Sequence, residues 1–177
     1  PLIDGPACPR SAGFWKQQCR DLDCAHGEWG PVKFDCTDMD LIAGCIDDRS
    51  EHFDWDDDFG WFCATIDPEK PMNPRKQAKR QFAALLANTC AGQLDLIAGD
   101  GNKVTLPETT PILSGCDDMG GTVGEVIDYV DDQLDVLEPE PLDDVFDEYV
   151  DLICCLDLLN NAMNIEFDPY ACVADSS

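Results

Sequence analysis

The sequence predicts a mainly α-helical fold, a small disulfide-stapled helical bundle with an irregular Cys- and Trp-rich N-terminal segment. Apolar side chains recur at helical spacing in three stretches after residue 72, which indicates three amphipathic helices. The chain of 177 residues also contains 11 cysteines, well above ordinary usage. We therefore expect one compact domain, in which residues 1–71 wrap the acidic helical bundle of residues 72–177.

The N-terminal segment has the composition of an irregular, cross-linked region. Residues 1–71 hold six of the cysteines and all four tryptophans, and Gly or Pro recurs every few residues. One short helix is expected from Asp38 to Asp47, because Leu41, Ile42 and Cys45 then share one face. The remainder is expected to wrap the bundle without regular structure.

The first helix of the bundle is expected to begin at Asn73 and Pro74, residue types that suit an N-cap and a first helical position. Its apolar face contains Ala78, Phe82, Leu85, Leu86 and Thr89. A loop is expected over residues 99–111, with a short extended piece at Lys103 to Leu106.

The second and third helices are separated by a Glu-Pro-Glu-Pro break. The apolar stripe of the second consists of Val123, Val126, Ile127, Val130, Leu134 and Leu137. The stripe of the third consists of Leu142, Val145, Phe146, Tyr149, Ile153, Leu156, Leu159 and Met163. Acidic residues such as Asp131 and Asp147 are expected on the opposite, solvent-facing sides.

The cysteines are spread along the chain without the C-x-x-C spacing of zinc sites or thioredoxin-like motifs. They are Cys8, Cys19, Cys24, Cys36, Cys45, Cys63, Cys90, Cys116, Cys154, Cys155 and Cys172. This spread indicates disulfides formed in an oxidising compartment, so a secreted or cell-surface protein is expected. The six from Cys8 to Cys63 are expected to bond largely among themselves. Their odd total leaves at least one thiol free or shared between chains, and the adjacent thiols of Cys154 and Cys155 should point in different directions.

The charge of the chain is strongly negative and unevenly distributed. Its 37 acidic and 11 basic side chains give a net charge of -26, and no Lys or Arg follows Lys103. Phosphate contacts need a basic face, so nucleic acid is excluded as the main partner, and anionic lipid is disfavoured. No apolar run approaches the ~18 residues of a membrane span. Cations or a basic partner are the expected ligands of such a surface.

The stretch SAGFWKQQC, with Gly13, Phe14, Trp15 and Lys16, resembles the Gly-Tyr-Trp-Lys-Asn-His-Pro signature that opens a helical module in secreted bacterial and archaeal proteins. Residues 17–19 are Gln, Gln and Cys, so the His of that signature is absent. The stretches QFAALLANTCAGQLDLIAGDG and LDLLNNAM are similar to later parts of the same module. The resemblance implies an extracellular, mostly helical module of surface or matrix proteins, with no established catalytic activity.

Aromatic side chains supply two candidate ligand platforms. Phe14 and Trp15, beside Lys16, either fill the core of the bundle or form a stacking surface for a ligand. Trp55 and Trp61, with two neighbouring phenylalanines, would stack on a sugar if they were exposed on one flat face. Buried rings would indicate core packing, whereas exposed rings would indicate a ligand platform.

Two acidic stretches are candidate calcium sites. Asp54, Asp56 and Asp58 alternate before a glycine, as hard oxygen ligands do in calcium loops. The glycine comes one position later than in an EF-hand, and Thr65 stands where that motif has Glu. A looser calcium site and a solvated acidic loop are the two alternatives. Asp100 and Asn102 form a second candidate, which is also ordinary turn chemistry.

Catalysis has little support in the sequence. His26 and His52 are the only imidazoles, and no nucleophile-elbow, zinc-protease, P-loop or dinucleotide-binding motif occurs. We expect a protein without enzymatic activity.

Two classes of function remain. The first is an extracellular structural protein, a subunit of a filament, surface layer or matrix, stabilised by disulfides and by calcium. Its head-to-tail self-association would bring a basic run against the acidic helices of another subunit, either Asp128–Asp135 or Asp143–Asp151. That run consists of Arg75, Lys76, Lys79 and Arg80. The alternative is a secreted carbohydrate- or calcium-binding module.

Overall fold

The computed structural model describes residues 7–23, 27–28, 34–96, 103–113, 116 and 118–162. Within these ranges the chain forms six α-helices. In chain order they are α1 (Ala12–Asp21), α2 (Cys36–Arg49), α3 (Phe59–Ile66), α4 (Pro74–Gln93), α5 (Val123–Leu137) and α6 (Phe146–Asn160). A short 3-10 helix, Leu142–Asp144, precedes α6. The mainly helical class predicted from the sequence is confirmed.

The N-terminal segment is more regular than its composition predicts. Its described residues form three helices, whereas only the one corresponding to α2 is expected from the sequence. Each helix starts at a capping side chain, Ser11, Asp35 or Asp58, that accepts a hydrogen bond from a backbone N–H of the first turn. Short helices are marginal in isolation, so α1 and α3 depend on their packing against α4.

The central helix of the bundle is α4, which packs against the other five. Side chains from Ala83 to Ala87 are fully buried, and the alanines let neighbouring helices approach closely. Its predicted start is confirmed, since Asn73 Oδ1 accepts from the backbone N–H of Lys76 at 2.9 Å. A Cβ at Gly92 would overlap Thr105 Oγ1, so only glycine lets the chain pass this close to α4.

Within the described residues, four two-residue strands form two small sheets beside the helices. The parallel pair consists of β1 (Ala7–Cys8) and β4 (Lys103–Val104). The antiparallel pair consists of β2 (Leu22–Asp23) and β3 (Gly27–Glu28). The extended piece predicted near residue 103 is therefore present as β4.

The buried stripes of α5 and α6 largely follow the predicted ones. All six predicted residues of α5 are buried. In α6, Phe146 departs from the prediction and is 48% exposed, because the buried face runs through Tyr149, Leu152 and Leu156, and Leu152 is not in the predicted stripe. Asp131 of α5, predicted to face solvent, is only 6% exposed, because the chain after α2 folds over it. Met163 lies outside the described residues.

Disulfides connect the helices covalently. The bonds are Cys19–Cys63 between α1 and α3, Cys45–Cys90 between α2 and α4, and Cys116–Cys155 between a loop and α6. Cys8 and Cys36 are also disulfide-bonded. Cys19–Cys63 lies within the first six cysteines, as expected, whereas Cys45 pairs outside them because α2 packs on α4. Cys24 and Cys172 lie outside the described residues.

The adjacent cysteines of α6 have different environments, as their positions in a helix predict. Cys155 is buried and bonded to Cys116. Cys154 is exposed, and its thiol is free.

Candidate functional site

The aromatic pair at the start of α1 belongs to the core. Trp15 has no exposed surface, and its ring stacks on Phe34 with the centroids 5.5 Å apart. Phe14 is half-buried and meets Trp15 edge-on at 5.1 Å. Lys16 is partly exposed beside them. Phe14 and Trp15 therefore fill the core of the bundle, and Trp15 has no exposed face on which a ligand could stack.

A buried amide network joins one residue from each of the three stretches that carry the family resemblance. Trp15 Nε1 donates to Asn88 Oδ1 at 3.1 Å, and Asn88 Nδ2 donates to Asn160 Oδ1 at 3.1 Å. Asn88 also accepts from the backbone N–H of Arg10 and donates to its carbonyl oxygen, both at 2.8 Å. Asn160 Nδ2 in turn donates to the backbone and side-chain oxygens of Gln81, each at 3.0 Å.

The side chain of Asn88 therefore makes four hydrogen bonds, the full capacity of an amide. Its role is to hold the start of α1, the middle of α4 and the end of α6 in one geometry. Sequence reasoning missed this network. The available signal is a polar residue at position 88 within the otherwise apolar run AALLANTCA.

The second aromatic group does not form an exposed platform. Trp55 is 5% exposed and stacks on Phe53 with ring centroids 4.6 Å apart, and Phe62 is fully buried. Trp61 is 59% exposed. Trp55 and Trp61 therefore do not share the flat exposed face that sugar stacking requires.

The alternating aspartates lie on an exposed turn before α3. Asp54, Asp56 and Asp58 are all exposed, and Asp58 Oδ1 is engaged with the backbone N–H of Gly60 at 2.8 Å. Over the part of the chain that the structure describes, no group of three or more His, Cys, Asp or Glu side chains is placed to hold a metal. Asp100 and Asn102 lie outside that part. A calcium site at either stretch stays a prediction.

The basic run of α4 makes contacts within its own subunit. Arg75 Nε donates to Tyr149 Oη at 2.9 Å, and Lys79 Nζ lies 2.8 Å from Glu138 Oε1. Lys76 Nζ donates to two backbone carbonyls of the connection before α4, at 2.9 and 3.1 Å. These three cations therefore anchor α4 to its surroundings, where the sequence predicts contacts with another subunit.

A second group of cations lies around one carboxylate at the junction of α1, α3 and α4. Arg20 Nε lies 2.8 Å from Asp67 Oδ2, and Lys16 Nζ lies 3.9 Å from Asp67 Oδ1. The hydrogen bond from Arg20 is the main cause that lowers the pKa of Asp67; burial opposes it, and the charges of Arg20, Lys16 and Arg80 add to it. We call Lys16, Arg20 and Arg80 the basic patch. Its three cations share a single carboxylate.

A polar cluster connects α2, α4 and α5 on another side of the bundle. Arg49 Nη2 lies 2.8 Å from Glu108 Oε1 and 2.9 Å from Asp128 Oδ1. Gln93 Nε2 donates to Glu108 Oε2 at 3.1 Å. The hydrogen bond from Arg49 is the main cause that lowers the pKa of Glu108, against the opposing effect of partial burial. Four distant stretches of sequence meet here, so no local pattern predicts the cluster.

An open groove of about 850 Å³ runs between α2 and the end of α4. Its apolar lining includes Leu41 and Leu94, both exposed, and the chain beside the Cys45–Cys90 disulfide. Its carboxylates are Asp40, Asp48 and Asp57. Arg49, which pairs with Glu108 and Asp128, also lines the groove. Its lining therefore combines apolar surface with a net negative charge, which suits an apolar ligand that carries a positive group.

Comparisons of this chain with protein-family models, curated proteins and solved structures gave no significant match. Among the helices that the structure describes, none has both the length and the apolar content to cross a bilayer.

Proposed function

We propose that this chain is an extracellular structural protein, a subunit of a filament, surface layer or matrix. The observation that carries the proposal is the segregation of charge along the folded chain. Residues 121–162, which contain α5 and α6, hold 13 acidic and no basic side chains, whereas α1 and α4 carry most of the bases. Opposite charge on two surfaces of one subunit supports a heterologous contact, which extends into a filament when its rotation does not close.

The disulfides support the extracellular part of the proposal. They tie α1 to α3 and α2 to α4, so the bundle is cross-linked at several places. Such bonds form and persist in oxidising compartments and are rare in reducing ones. Mass spectrometry after alkylation without reduction tests this point on protein purified from its natural source. Six or more modified cysteines would contradict an oxidising compartment.

Calcium is the proposed cation of the assembly. A net charge of -26 on each subunit opposes close packing. Calcium bound to exposed carboxylates such as Asp54, Asp56 and Asp58 would reduce that repulsion where subunits meet.

The experiment is to measure particle mass by light scattering and particle length by electron microscopy, first in calcium and then after chelation. Long particles that shorten on chelation are the expected result, and restoring calcium should restore the length. A magnesium-only sample is the control for general screening by a divalent ion. A chain that is monomeric in calcium would contradict the structural role.

The second candidate function is a secreted binding module, and the groove beside α2 is the observation that favours it. In this case the ligand site is lined by Leu41 and Leu94 rather than by Trp55 and Trp61. Nile red, a neutral fluorescent probe, should bind to a monomeric protein, and Leu94→Asp should abolish its binding. Leu113→Asp, at an exposed leucine outside the groove, is the matched control. Equal binding by the two variants would exclude the groove as the site.

A further inference from the structure

The bases of α1 and α4 differ in how far their charge is used within the subunit. Arg75 and Lys79 are held by Tyr149 and Glu138, as described above. In the basic patch, Arg20 is 56% exposed even while it contacts Asp67. The side-chain Nε of Arg80 is buried without a hydrogen-bond partner among the described residues, although the charge of Arg80 acts on Asp67. Among the residues that the structure describes, Asp67 is the carboxylate that faces these three cations, so the patch keeps a net positive charge.

The two acidic helices, α5 and α6, also differ in how many of their carboxylates are paired within the subunit. On α5, Asp128 is paired with Arg49 at 2.9 Å, Asp131 is buried, and Asp135 lies 2.6 Å from His52 Nδ1. On α6, Asp147 and Asp151 are exposed, and neither forms an ion pair with a described residue. On α5, Asp132 is exposed without an ion pair to a described residue, whereas α6 offers two such carboxylates, Asp147 and Asp151, one helical turn apart. The α6 surface therefore has more carboxylates available for assembly.

The free carboxylates of α6 flank exposed apolar side chains. Phe146 is 48% exposed and Val150 is 36% exposed, and their spacing of four residues places them on one face of the helix. Asp147 and Asp151 follow them with the same spacing, so a strip of carboxylates runs beside the apolar strip. Single exposed apolar residues are common, but Phe146 and Val150 are aligned and could form the apolar centre of a contact, with Asp147 and Asp151 at its polar rim. We call these four residues the α6 face.

We propose that the head-to-tail contact joins the basic patch of one subunit to the α6 face of a second copy. This inference rests on the proposed structural function and names the two surfaces that meet. Arg20 donates its Nε and Nη2 to Asp67 of its own subunit, at 2.8 and 3.2 Å. Asp147 and Asp151 would accept charge-assisted hydrogen bonds from the other N–H groups of Arg20 and from the Lys16 ammonium.

The contact remains attractive although both subunits are strongly negative. At physiological ionic strength, salt largely screens the repulsion between charges that are more than about 8 Å apart. The charged groups at the contact therefore decide whether the two subunits attract or repel each other. An isologous contact between two α6 faces would place like carboxylates together, which disfavours that arrangement. The heterologous contact places opposite charges together.

Three charge-reversal variants test the pairing. The patch variant carries Lys16→Glu and Arg20→Glu, the helix variant carries Asp147→Lys and Asp151→Lys, and the third combines all four changes. The first two should raise the protein concentration needed for assembly in calcium by about tenfold or more, as expected for a loss of about 1.4 kcal/mol. The combined variant should assemble like the unmodified protein, because opposite charges again face each other.

The design separates a specific contact from an effect of net charge. The helix variant has a less negative net charge than the unmodified chain, so a model based on net repulsion alone predicts better assembly, whereas the specific contact predicts weaker assembly. The combined variant has the original net charge. Circular dichroism checks that each variant is folded. If the patch variant does not fold, Lys16→Glu alone carries the test, because Lys16 Nζ lies 3.9 Å from Asp67 whereas Arg20 Nε lies 2.8 Å from it, so the single change disturbs a weaker pair.

The outcomes distinguish failure of this inference from failure of the proposed function. If the unmodified protein stays monomeric in calcium, the structural function itself is wrong. If it assembles and the patch variant assembles equally well, the basic patch is not the contact. A helix variant that assembles as well as or better than the unmodified protein would exclude the α6 face. If both variants fail and the combined variant is not restored, the two surfaces do not pair with each other.

Discussion

At the scale of single residues, Asn88 connects parts of the chain that are far apart in sequence. Its amide bonds to the indole of Trp15 on one side and to the amide of Asn160 on the other. All of these groups are buried, where an unpaired donor or acceptor is costly. The position of α1 against α4 and α6 therefore depends on one side chain.

Asn88→Ala should lower the free energy of unfolding by about 3 kcal/mol or more, because several buried polar groups lose their partner at once. Urea denaturation followed by circular dichroism measures this change. Asn161→Ala is the matched control, since Asn161 is exposed and bonds only locally to Asp157. Its loss should cost less than about 1 kcal/mol. Equal effects of the two substitutions would show that the buried network is not a determinant of stability.

Asp131 is a second residue whose role depends on burial. Its carboxylate accepts from the Ser50 hydroxyl and from the backbone N–H groups of Glu51, at 3.0 Å, and His52, at 3.3 Å. It therefore holds the chain that leaves α2 against α5. Ser50 also accepts from the backbone N–H of Phe53 at 3.0 Å, which completes the turn.

Asp131→Asn should destabilise the protein by about 2 kcal/mol, because the amide keeps one acceptor oxygen and places an N–H₂ group against donors. Asp147→Asn makes the same chemical change at an exposed site and should alter stability by less than about 0.5 kcal/mol. Thermal denaturation of both variants at one pH compares them directly. Similar melting temperatures would mean that the donors around Asp131 are satisfied by water.

At the scale of the elements, the Arg49–Glu108 pair joins α2 to the loop that precedes α5, and it predicts a pH dependence. The hydrogen bond from Arg49 lowers the pKa of Glu108 in the folded chain. Below the ordinary Glu value of 4.5, the unfolded chain therefore binds a proton that the folded chain does not. The stabilisation from this pair is fully present above that pH and is lost as the pH falls through the folded pKa.

Glu108→Gln should reduce the free energy of unfolding at neutral pH by about 1.5 kcal/mol. Between about pH 5 and pH 3, where carboxylates titrate, the free energy of unfolding of this variant should fall less steeply than that of the unmodified chain. Denaturant titrations across this range measure both effects. Asp143→Asn, which removes an exposed acid, should leave the slope nearly unchanged. If the slope of Glu108→Gln matches that of the unmodified chain, the pair does not contribute to acid sensitivity.

The Cys45–Cys90 disulfide acts at the same scale, since it fixes α2 to α4 across 45 residues of sequence. In the chain-entropy model, closing a loop of this length stabilises the fold by about 4 kcal/mol. Cys45→Ala with Cys90→Ala should therefore lower the urea midpoint strongly. Cys154→Ala is the control, because that thiol is exposed and free, and it should leave the midpoint unchanged. A midpoint that is unchanged in both variants would show that helix packing alone sets the position of α2.

At the scale of the whole molecule, the net charge of -26 makes salt a determinant of stability. Repulsion among like charges destabilises the compact state, and salt screens it with a Debye length of about 30 Å at 0.01 M and about 8 Å at 0.15 M. The melting temperature of the unassembled chain should therefore rise with NaCl, by roughly 2–4 °C for each kcal/mol of repulsion removed. KCl should act equally if screening is the cause. A melting temperature that falls with salt would mean that internal pairs such as Arg49–Glu108 outweigh the repulsion.

The sequence by itself determined the features that depend on neighbouring residues. Helical periodicity located α4, α5 and α6, and Asn73 with Pro74 marked the start of α4. The alternation of faces also placed Cys154 and Cys155 in different environments. These features are local because a helix brings together residues three and four positions apart.

Only the tertiary structure decided which residues meet across the fold. The pairing of Cys45 with Cys90, the burial of Asp131 and the exposure of Phe146 all depend on how helices pack, and periodicity within one helix does not contain that information. The same is true of the charges. The sequence shows equal formal charges on Lys79 and Arg20, but the fold places Glu138 beside the first and leaves the second partly exposed beside a shared carboxylate. Coulomb energy depends on distance and solvent access, and both are set when segments far apart in sequence come together.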